Sequence, residues 1–197
     1  PIMLVARSFD VNRPGTAIKS LKGGVVGGSI TEGIIREGDT VEIRPGVKIK
    51  DRYEPLRTRI SNMQKAMTDL QEAGPGGLLG VSTELDPFLA KSDTLAGNVV
   101  GTPGNMPPVH EKVTIRVELL ERVVGSKEEI KVERISTGDV LMLTTGTART
   151  VGSVTSARKG DIEVSLKIPV CASKGDRIAI SRQVAGRWRL IGWGELE

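Results

Sequence analysis

The sequence has few of the residue types on which most catalytic, metal-binding and base-stacking sites depend. Aromatic residues make up 3% of its 197 residues, which is too few for a row of platforms on which nucleic-acid bases would stack. A single cysteine, Cys171, excludes an internal disulfide and fits a reducing cytoplasm. A single histidine, His110, excludes both a two-histidine metal site and a Cys/His zinc cluster. We expect His110 to be a surface residue at the start of a strand.

Sequence motifs of common enzymes and of membrane proteins are also missing. The chain has no Gly-x-Ser-x-Gly motif, and the glycine-rich run at 23–28 lacks the Lys and Ser/Thr that end a phosphate-binding loop. We interpret these glycines as positions where two strands cross closely or bulge. The chain is therefore predicted neither to catalyse a reaction nor to bind GTP by itself. No apolar run approaches the roughly 20 residues that cross a bilayer, and no signal peptide precedes the first apolar run, so we expect no membrane partner.

Short apolar runs separated by turn-forming residues dominate the chain, which holds 24 glycines and 10 prolines. Residues 40–43 alternate Thr, Val, Glu and Ile, and 113–119 carry an apolar residue at every second position, as half-buried strands do. Residues 47–57 have no clean period and are predicted to be a loop, and no helical period exceeds about two turns. The predicted strands are 1–9, 24–29, 31–35, 40–44, 57–63, 78–83, 98–101, 113–119, 140–144, 147–157, 162–168, 177–183 and 188–196.

The segment 101–108 is the best candidate for a domain boundary. It contains three prolines and two glycines, which continue neither a helix nor a strand ladder. We predict two domains, 1–104 and 105–197. Both are expected to be all-β, each a closed antiparallel β-barrel, because closure removes exposed strand edges. The net charge of +4 is compatible with an RNA partner but is also common among other proteins.

Several strings resemble translational GTPases such as elongation factor Tu. KGGVVGGSITEGIIREGDTVEIRPG at 22–46 and LQEAGPGGLLGV at 70–81 are similar to the second domain of that superfamily. HEKVTIRVELLERVVG at 110–125 and AISRQVAGRWRLIGWGEL at 179–196 are similar to its third domain. Within the superfamily, three strings resemble the gamma subunit of archaeal-type translation initiation factor 2: RSFDVNRPGT at 7–16, LLERVVGSKE at 119–128 and SRQVAGRWRLIGWGEL at 181–196.

The resemblance implies a function in translation initiation. It implies that the chain corresponds to domains two and three of a subunit that carries methionylated initiator tRNA to the small ribosomal subunit. The GTPase domain, which binds GTP with magnesium, is expected to precede Pro1 and to be missing, so this chain is expected to hold no cofactor, no metal and no catalytic residue. The implied partners are the initiator tRNA, the alpha and beta subunits of the factor and the small ribosomal subunit, all in the cytoplasm. The second domain is expected to hold the tRNA acceptor end and to dock the alpha subunit.

The resemblance also implies which residues contact these partners. Glu72 is expected to accept a hydrogen bond from a ribose hydroxyl at the acceptor end, although a solvated turn residue is an equally good interpretation of this position. Around it, the expected contacts are Ile35, Val41 and Thr83 near the apolar wall, with Ile35 and Val41 in the core in either case, and Arg36, Arg44, Lys48 and Lys50 at phosphates. The expected docking residues are Asp10, Asn12, Arg13, Pro14 and Gly15 for the alpha subunit, and Arg182, Arg187 and Arg189 for the GTPase domain or a partner.

Two other interpretations stay open on the sequence alone. Selenocysteine-specific elongation factors have similar barrels, although such a factor is expected to carry a further C-terminal domain. Alternatively, the paired barrels are a structural or protein-interaction module without direct RNA contact. Binding of methionylated initiator tRNA, compared with deacylated and elongator tRNAs across a range of salt concentrations, distinguishes these interpretations.

Overall fold

The computed structural model describes residues 1–125, 129–158 and 160–197. The end of the string at 119–128, used above as a mark of family resemblance, therefore lies outside the described residues. The chain divides into two compact units, Pro1–Met106 and Pro107–Glu197. Each unit is a closed antiparallel β-barrel of six strands, which confirms the predicted fold class. None of the helices in the described ranges is long and apolar enough to span a membrane.

The first barrel is formed by long strands with two short strands set apart as a ribbon. Its strands in chain order are β1 (Ile2–Phe9), β2 (Val25–Glu32), β3 (Ile35–Arg36), β4 (Thr40–Ile49), β5 (Arg52–Lys65), β6 (Thr68–Leu70), β7 (Glu72–Ala73), β8 (Leu79–Thr83) and β9 (Val99–Gly101). The barrel order is β4-β9-β1-β2-β8-β5, closed by pairing of β4 with β5, and β6 extends the β5 edge. Strands β3 and β7 pair only with each other. A short helix α1 (Pro87–Ala90) and two 3-10 turns, Ile18–Ser20 and Lys91–Asp93, lie in the loops.

The second barrel has six strands and no ribbon among its described residues. They are β10 (Val109–Leu119), β11 (Val140–Thr145), β12 (Ala148–Ala157), β13 (Asp161–Cys171), β14 (Arg177–Val184) and β15 (Arg187–Leu196). The order around the barrel is β10-β13-β12-β11-β14-β15, and β15 pairs with β10 to close it. His110 lies on β10 and its Nε2 is 3.0 Å from the backbone oxygen of Ala172.

Each barrel is filled by the inward-facing residues of its own strands. Met3, Val5 and Ile43 are among the fully buried side chains of the first barrel, and Ile115 and Ile180 among those of the second. Burying one such aliphatic side chain contributes about 1.5–3 kcal/mol. The two apolar clusters therefore explain why the alternating runs fold as barrels.

The glycine-rich run at 23–28 lies where strands approach each other closely. A Cβ built on Gly28 would lie 1.9 Å from the backbone oxygen of Leu4, and one built on Gly23 would lie 1.8 Å from the backbone oxygen of Thr83. Only a residue without a side chain fits at these two positions. The interpretation of these glycines as sites of close approach is confirmed for Gly23 and Gly28 but not for Gly27, where a Cβ would meet Arg7 Cβ at an ordinary 3.8 Å.

The loop predicted at 47–57 is wrong. Strands β4 and β5 continue through this region as a hairpin in which Val47 pairs with Glu54 and Lys48 pairs with Tyr53. A register shift between Ile43 and Val47 separates the hairpin from the barrel wall. Because Lys48 and Ile49 are both exposed, this hairpin lacks the buried face that produces an alternating sequence pattern.

Candidate functional site

The β3–β7 ribbon places two of the predicted site residues side by side. Ile35 pairs with Ala73 and Arg36 pairs with Glu72, so each pair points its side chains to one face of the ribbon. The Arg36 Nε atom lies 3.3 Å from Glu72 Oε2, with 58% and 63% of the two side chains exposed. An ion pair this exposed contributes less than about 1 kcal/mol. Both groups can therefore exchange this contact for a contact with a ligand at little cost.

Glu72 lines a cleft of about 290 Å³ between the ribbon and a glycine-rich turn. The turn consists of residues 74–77, and Gly76 and Gly77 both adopt positive φ. Lys65 Nζ donates a hydrogen bond to the backbone oxygen of Gly76 at 2.7 Å. The end of β5 therefore holds the turn in place and fixes one wall of this cleft.

Arg36 lines a second cleft of about 560 Å³ on the β5 side. Arg59 lies in the same cleft, and its Nε donates to the backbone oxygen of Gly38 at 3.1 Å. Glu37 and Glu84 also line it, so the cleft offers both guanidinium donors and carboxylate acceptors. A ligand that carries phosphates and hydroxyl groups suits such a mixture.

The three residues expected near an apolar wall, Ile35, Val41 and Thr83, are buried in the first barrel. Ile35 and Val41 belong to its apolar core, as expected for either interpretation of the sequence. The Thr83 hydroxyl donates to the backbone oxygen of Gly24 at 2.7 Å. All three side chains are thus almost fully buried and offer little surface to a ligand.

Arg44, expected at a phosphate, takes part in an ion cluster that sequence reasoning missed. The Glu42 carboxylate accepts from Arg44 Nε at 2.5 Å and from Arg57 Nε at 2.7 Å, and only 2% of the Glu42 side chain is exposed. Burial by itself raises the pKa of Glu42, but the hydrogen bonds from Arg57 and Arg44 outweigh it, so the pKa lies below its ordinary value. The alternation of residues 40–43 places Glu42 outside the barrel, and no local pattern predicts that two arginines cover it.

Lys48 and Lys50 lie at the turn of the β4–β5 hairpin and are exposed. Lys48 lies eight positions beyond Thr40, the first residue of β4. At about 3.3 Å per residue this corresponds to at most roughly 26 Å. Arg36 precedes the Thr40 end, so the structure does not bring these lysines together with the ribbon.

The loop expected to dock the alpha subunit is fixed by one asparagine. Asn12 Nδ2 donates to the Asp10 carboxylate and to the backbone oxygen of Lys22, both at 2.7 Å. In return the backbone N–H of Lys22 donates to Asn12 Oδ1 at 2.8 Å. Arg13, Pro14 and Gly15 form the exposed turn between these contacts, with Gly15 at φ +84°. The loop is therefore a preorganised surface.

An open groove of about 710 Å³ lies beside this loop. Val11, Leu21 and Pro87 contribute apolar surface, and Lys22 and Asp86 contribute charge. Val11 and Leu21 are both more than two-fifths exposed. Large exposed apolar side chains beside a fixed loop are typical of a surface that binds another protein.

The three arginines expected to face another domain have different surroundings in the structure. Arg182 donates to the backbone oxygens of Glu133 and Arg134 at 3.1 Å and to the Asp139 carboxylate at 2.8 Å, so it serves its own barrel. The guanidinium of Arg189 lies close to Gly125: a Cβ built on that glycine would be 2.8 Å from Arg189 Nη1. Arg187 is exposed at the β14–β15 turn, beside Trp188.

Within the described residues, no group of three or more His, Cys, Asp or Glu side chains is placed to hold a metal ion. The first barrel instead presents the Glu42 cluster and the Asn12 loop as organised polar groups, and the exposed Arg36–Glu72 pair as one that is free to exchange its contact. The geometry of the first barrel therefore favours recognition of a polar, charged ligand at the ribbon and of a protein at the loop.

Family models match both barrels. The model described as elongation factor Tu domain 2 matches residues 23–101. The model described as initiation factor eIF2 gamma, C terminal, matches residues 111–196. The two matches correspond to the two compact units, one family model for each.

Comparisons over the whole of this chain also match initiation factor 2 gamma subunits. The translation initiation factor 2 subunit gamma of Methanocaldococcus jannaschii is 57% identical over 201 residues, covering 100% of this chain and 49% of that protein. The corresponding subunit of Thermococcus kodakarensis is 57% identical over 198 residues, covering 98% of this chain and 48% of that protein. The chain thus spans about half the length of these relatives. A crystal structure of a bacterial selenocysteine-specific elongation factor covers 99% of this chain and 27% of its own, with a TM-score of 0.70 and 21% identity, which shows a shared fold.

Proposed function

This chain belongs to the family of translation initiation factor 2 gamma subunits, and from that premise we propose that it binds the acceptor end of methionylated initiator tRNA through its first barrel. The observation that carries the proposal is the exposed Arg36–Glu72 pair on a ribbon between two clefts. It occurs in a chain that is 57% identical to a gamma subunit over its whole length. The complete factor would carry this tRNA to the small ribosomal subunit in the cytoplasm.

In this proposal the ribbon supplies two different contacts. Glu72 accepts a hydrogen bond from a ribose hydroxyl, and Arg36 donates to a phosphate, since a guanidinium presents a planar set of donors that suits phosphate oxygens. Ile35 anchors the ribbon to the apolar core of the barrel, to which Val41 also belongs, and Thr83 is bound to Gly24. Arg44 is bound to Glu42, and Lys48 and Lys50 lie on the β4–β5 hairpin away from the ribbon, so the proposed site does not include these three residues.

The chain supplies no catalytic step in this proposal. GTP and magnesium would bind in the half of the relatives that this chain does not span, and the beta subunit would dock there. Arg187 and Arg189, on the second barrel, would face that half or another partner. The contribution of the two barrels is then to bind and orient the tRNA and the other subunits.

The test uses a chimeric subunit in which this chain replaces the corresponding half of the Methanocaldococcus jannaschii protein, loaded with GTP and magnesium. Filter binding with methionylated initiator tRNA is expected to show on the order of tenfold weaker binding for Glu72→Gln, because a charge-assisted hydrogen bond is lost. Arg36→Gln is expected to weaken binding and to reduce the salt dependence by about one phosphate contact.

Glu54→Gln is the matched control for these variants. Glu54 forms a surface ion pair of the same length, 3.3 Å, with Arg52, but on the β4–β5 hairpin away from the ribbon. Its affinity for tRNA is expected to match the parent. If Glu72→Gln and Arg36→Gln also match the parent, the ribbon does not hold the acceptor end. If the parent chimera itself does not bind the tRNA, the barrels act only as a structural or protein-interaction module.

We further propose that the loop at 10–15 and the adjacent groove dock the alpha subunit. Asn12→Ala releases the loop by removing its hydrogen bonds to Lys22, and Val11→Ser makes the groove polar. Both variants are expected to weaken alpha-subunit binding by about tenfold in calorimetry, since apolar anchors and preorganisation dominate protein interfaces. Val140→Ser, which changes a valine 50% exposed on the second barrel, is the control and is expected to have no effect.

A selenocysteine-specific elongation factor is the second candidate. The solved structure of one such factor covers nearly the whole chain, but at 21% identity it supports the fold and not the function. The 57% identity to gamma subunits favours initiation. Preference of the chimera for methionylated initiator tRNA over selenocysteyl-tRNA is the outcome expected here, and the reverse preference would support the second candidate.

A further inference from the structure

A cleft of about 570 Å³ opens at one end of the second barrel. Strands β10 and β12 end here and β13 begins here. The cleft therefore lies at the edge of the apolar core of the barrel. Val117, Leu119 and Ile162 form part of its apolar floor, and Arg134 and Arg158 stand at its side. Neither the resemblance to gamma subunits nor the proposed tRNA contacts assign a role to these residues.

The floor is apolar because β10 continues its alternating pattern beyond the core. Val113 and Ile115 are fully buried, Val117 is half-buried, and Leu119 is 37% exposed. Val117 still packs against the apolar core of the barrel, whereas Leu119, the last residue of β10, is not among the residues packed against it. A leucine left open at a barrel end is a place where an apolar side chain of another molecule gains burial.

The charge of the cleft is of one sign. Among the described residues that line it, Arg134 and Arg158 are the charged ones, and no acidic side chain is present. Neither guanidinium lies within 4.0 Å of a carboxylate of any described residue. The neighbouring Asp161 pairs in register with Arg116 on β10, and its charge acts on that guanidinium. The described part of the cleft therefore presents two cations and no carboxylate.

Both arginines stand on a backbone that is held in place. Arg182 donates to the backbone oxygens of Glu133 and Arg134 at 3.1 Å, which fixes the segment that carries the Arg134 side chain. The backbone N–H of Arg158 donates to the oxygen of Asp161 at 2.8 Å, and the N–H of Asp161 donates back at 3.2 Å. The fold thus fixes the backbone positions from which the two side chains extend.

We propose that this cleft binds a short acidic segment of a partner protein, which inserts one aliphatic side chain over Leu119 and places carboxylates against Arg134 and Arg158. The charge complementarity selects the acidic residues, and the aliphatic floor selects the apolar anchor. RNA fits the cleft less well, because no aromatic residue lines it on which a base would stack, and a phosphate chain leaves the apolar floor uncovered.

The test uses the 197-residue chain and synthetic ten-residue peptides of Asp, Glu, Gly and Ser with one central Leu. Binding is followed by the methyl NMR signals of Val117, Leu119 and Ile135. One matched peptide carries Asn and Gln in place of Asp and Glu, and another carries Ser in place of Leu. The acidic peptide with Leu is expected to shift these signals at millimolar concentration, and both matched peptides are expected to bind at least tenfold more weakly.

The variants place the effect in the cleft. R134Q combined with R158Q is expected to weaken binding on the order of tenfold, whereas R149Q, at the opposite end of β12, is expected to leave it unchanged. Unperturbed methyl signals of Val164 and Ile180 verify that each variant is folded. Equal binding of the neutral peptide, unchanged binding by the double variant, or no shift with any peptide overturns the proposal. Arginine-dependent shifts with a 12-nucleotide RNA in place of the peptide overturn it in favour of an RNA site.

Discussion

The two barrels have the same number of strands and the same closure, but they place their polar groups differently. The first barrel buries a carboxylate, Glu42, in its wall between two arginines, whereas the buried polar side chain recorded for the described part of the second is Thr150. The most exposed large apolar side chains, Met67, Ile18 and Phe88, all belong to the first barrel. The same fold thus supports a surface rich in exposed loops on one barrel and a more regular wall on the other, because barrel closure needs only the inward face of each strand.

The largest effect is expected where two backbones touch in the first barrel. Gly28→Ala would place a Cβ 1.9 Å from the oxygen of Leu4, so β1 and β2 must separate, and we expect the free energy of unfolding to fall by about 3 kcal/mol. Gly27→Ala is the matched control, since its Cβ would meet Arg7 Cβ at 3.8 Å, an ordinary contact. Hydrogen-exchange mass spectrometry, read separately for peptides of each barrel, measures both. Equal stability of the two variants would contradict the close strand approach.

A smaller loss is expected on breaking the buried ion cluster. Glu42→Ala leaves Arg44 and Arg57 without their shared acceptor, and we expect the first barrel to lose about 2 kcal/mol. This is less than the full cost of an unpaired buried charge, because Arg57 is 68% exposed and reaches water. Glu54→Ala, which removes a surface pair, is expected to change stability by less than about 0.5 kcal/mol. Hydrogen exchange of β4 and β5 peptides measures the stability of both variants. A loss in Glu42→Ala no larger than that in Glu54→Ala would show that the burial of Glu42 is unimportant.

The second barrel is expected to lose about 1.5 kcal/mol in Arg182→Ala, since hydrogen bonds to two backbone oxygens and to Asp139 disappear together. Both tryptophans, Trp188 and Trp193, belong to this barrel, so urea unfolding followed by tryptophan fluorescence reports on it. Arg187→Ala, at the exposed turn, is the control. A midpoint for Arg182→Ala that equals the control would contradict the structural role assigned to Arg182.

The smallest expected effect is the loss, at acid pH, of the stability that Glu42 contributes to the first barrel. The pKa of Glu42 is lowered in the folded barrel from an ordinary value of 4.5, so its contribution is present above that pH and is lost as pH falls through the lowered pKa. We therefore expect the first barrel to become less stable between neutral pH and the acid region, as Glu42 becomes protonated. Glu42→Gln should abolish this component. Identical acid profiles for Glu42→Gln and the parent protein would show that Glu42 does not contribute.

Sequence reasoning succeeded where the signal is local. The alternation at 40–43 and at 113–119 predicts β4 and β10, because side chains of a strand point to opposite faces with a period of two. The same reasoning failed at 47–57, where a hairpin leaves the barrel and both faces meet water. The resemblance to translational GTPases placed Glu72 and Arg36 in one site, and in the structure Arg36 Nε lies 3.3 Å from Glu72 Oε2. Whether they contact tRNA stays a prediction.

The amino-acid sequence by itself determined the all-β class, the two closed barrels and the strands with one buried face, because apolar periodicity and turn-forming residues act over a few neighbouring positions. Only the tertiary structure decided which distant residues meet. Glu42 gains Arg57 across the β4–β5 pair, Arg182 reaches the segment at 133–139, and Arg134 and Arg158 arrive at one barrel end. Such contacts depend on strand register and closure, in which a shift of one residue reverses the direction of every side chain, and no local pattern encodes that choice.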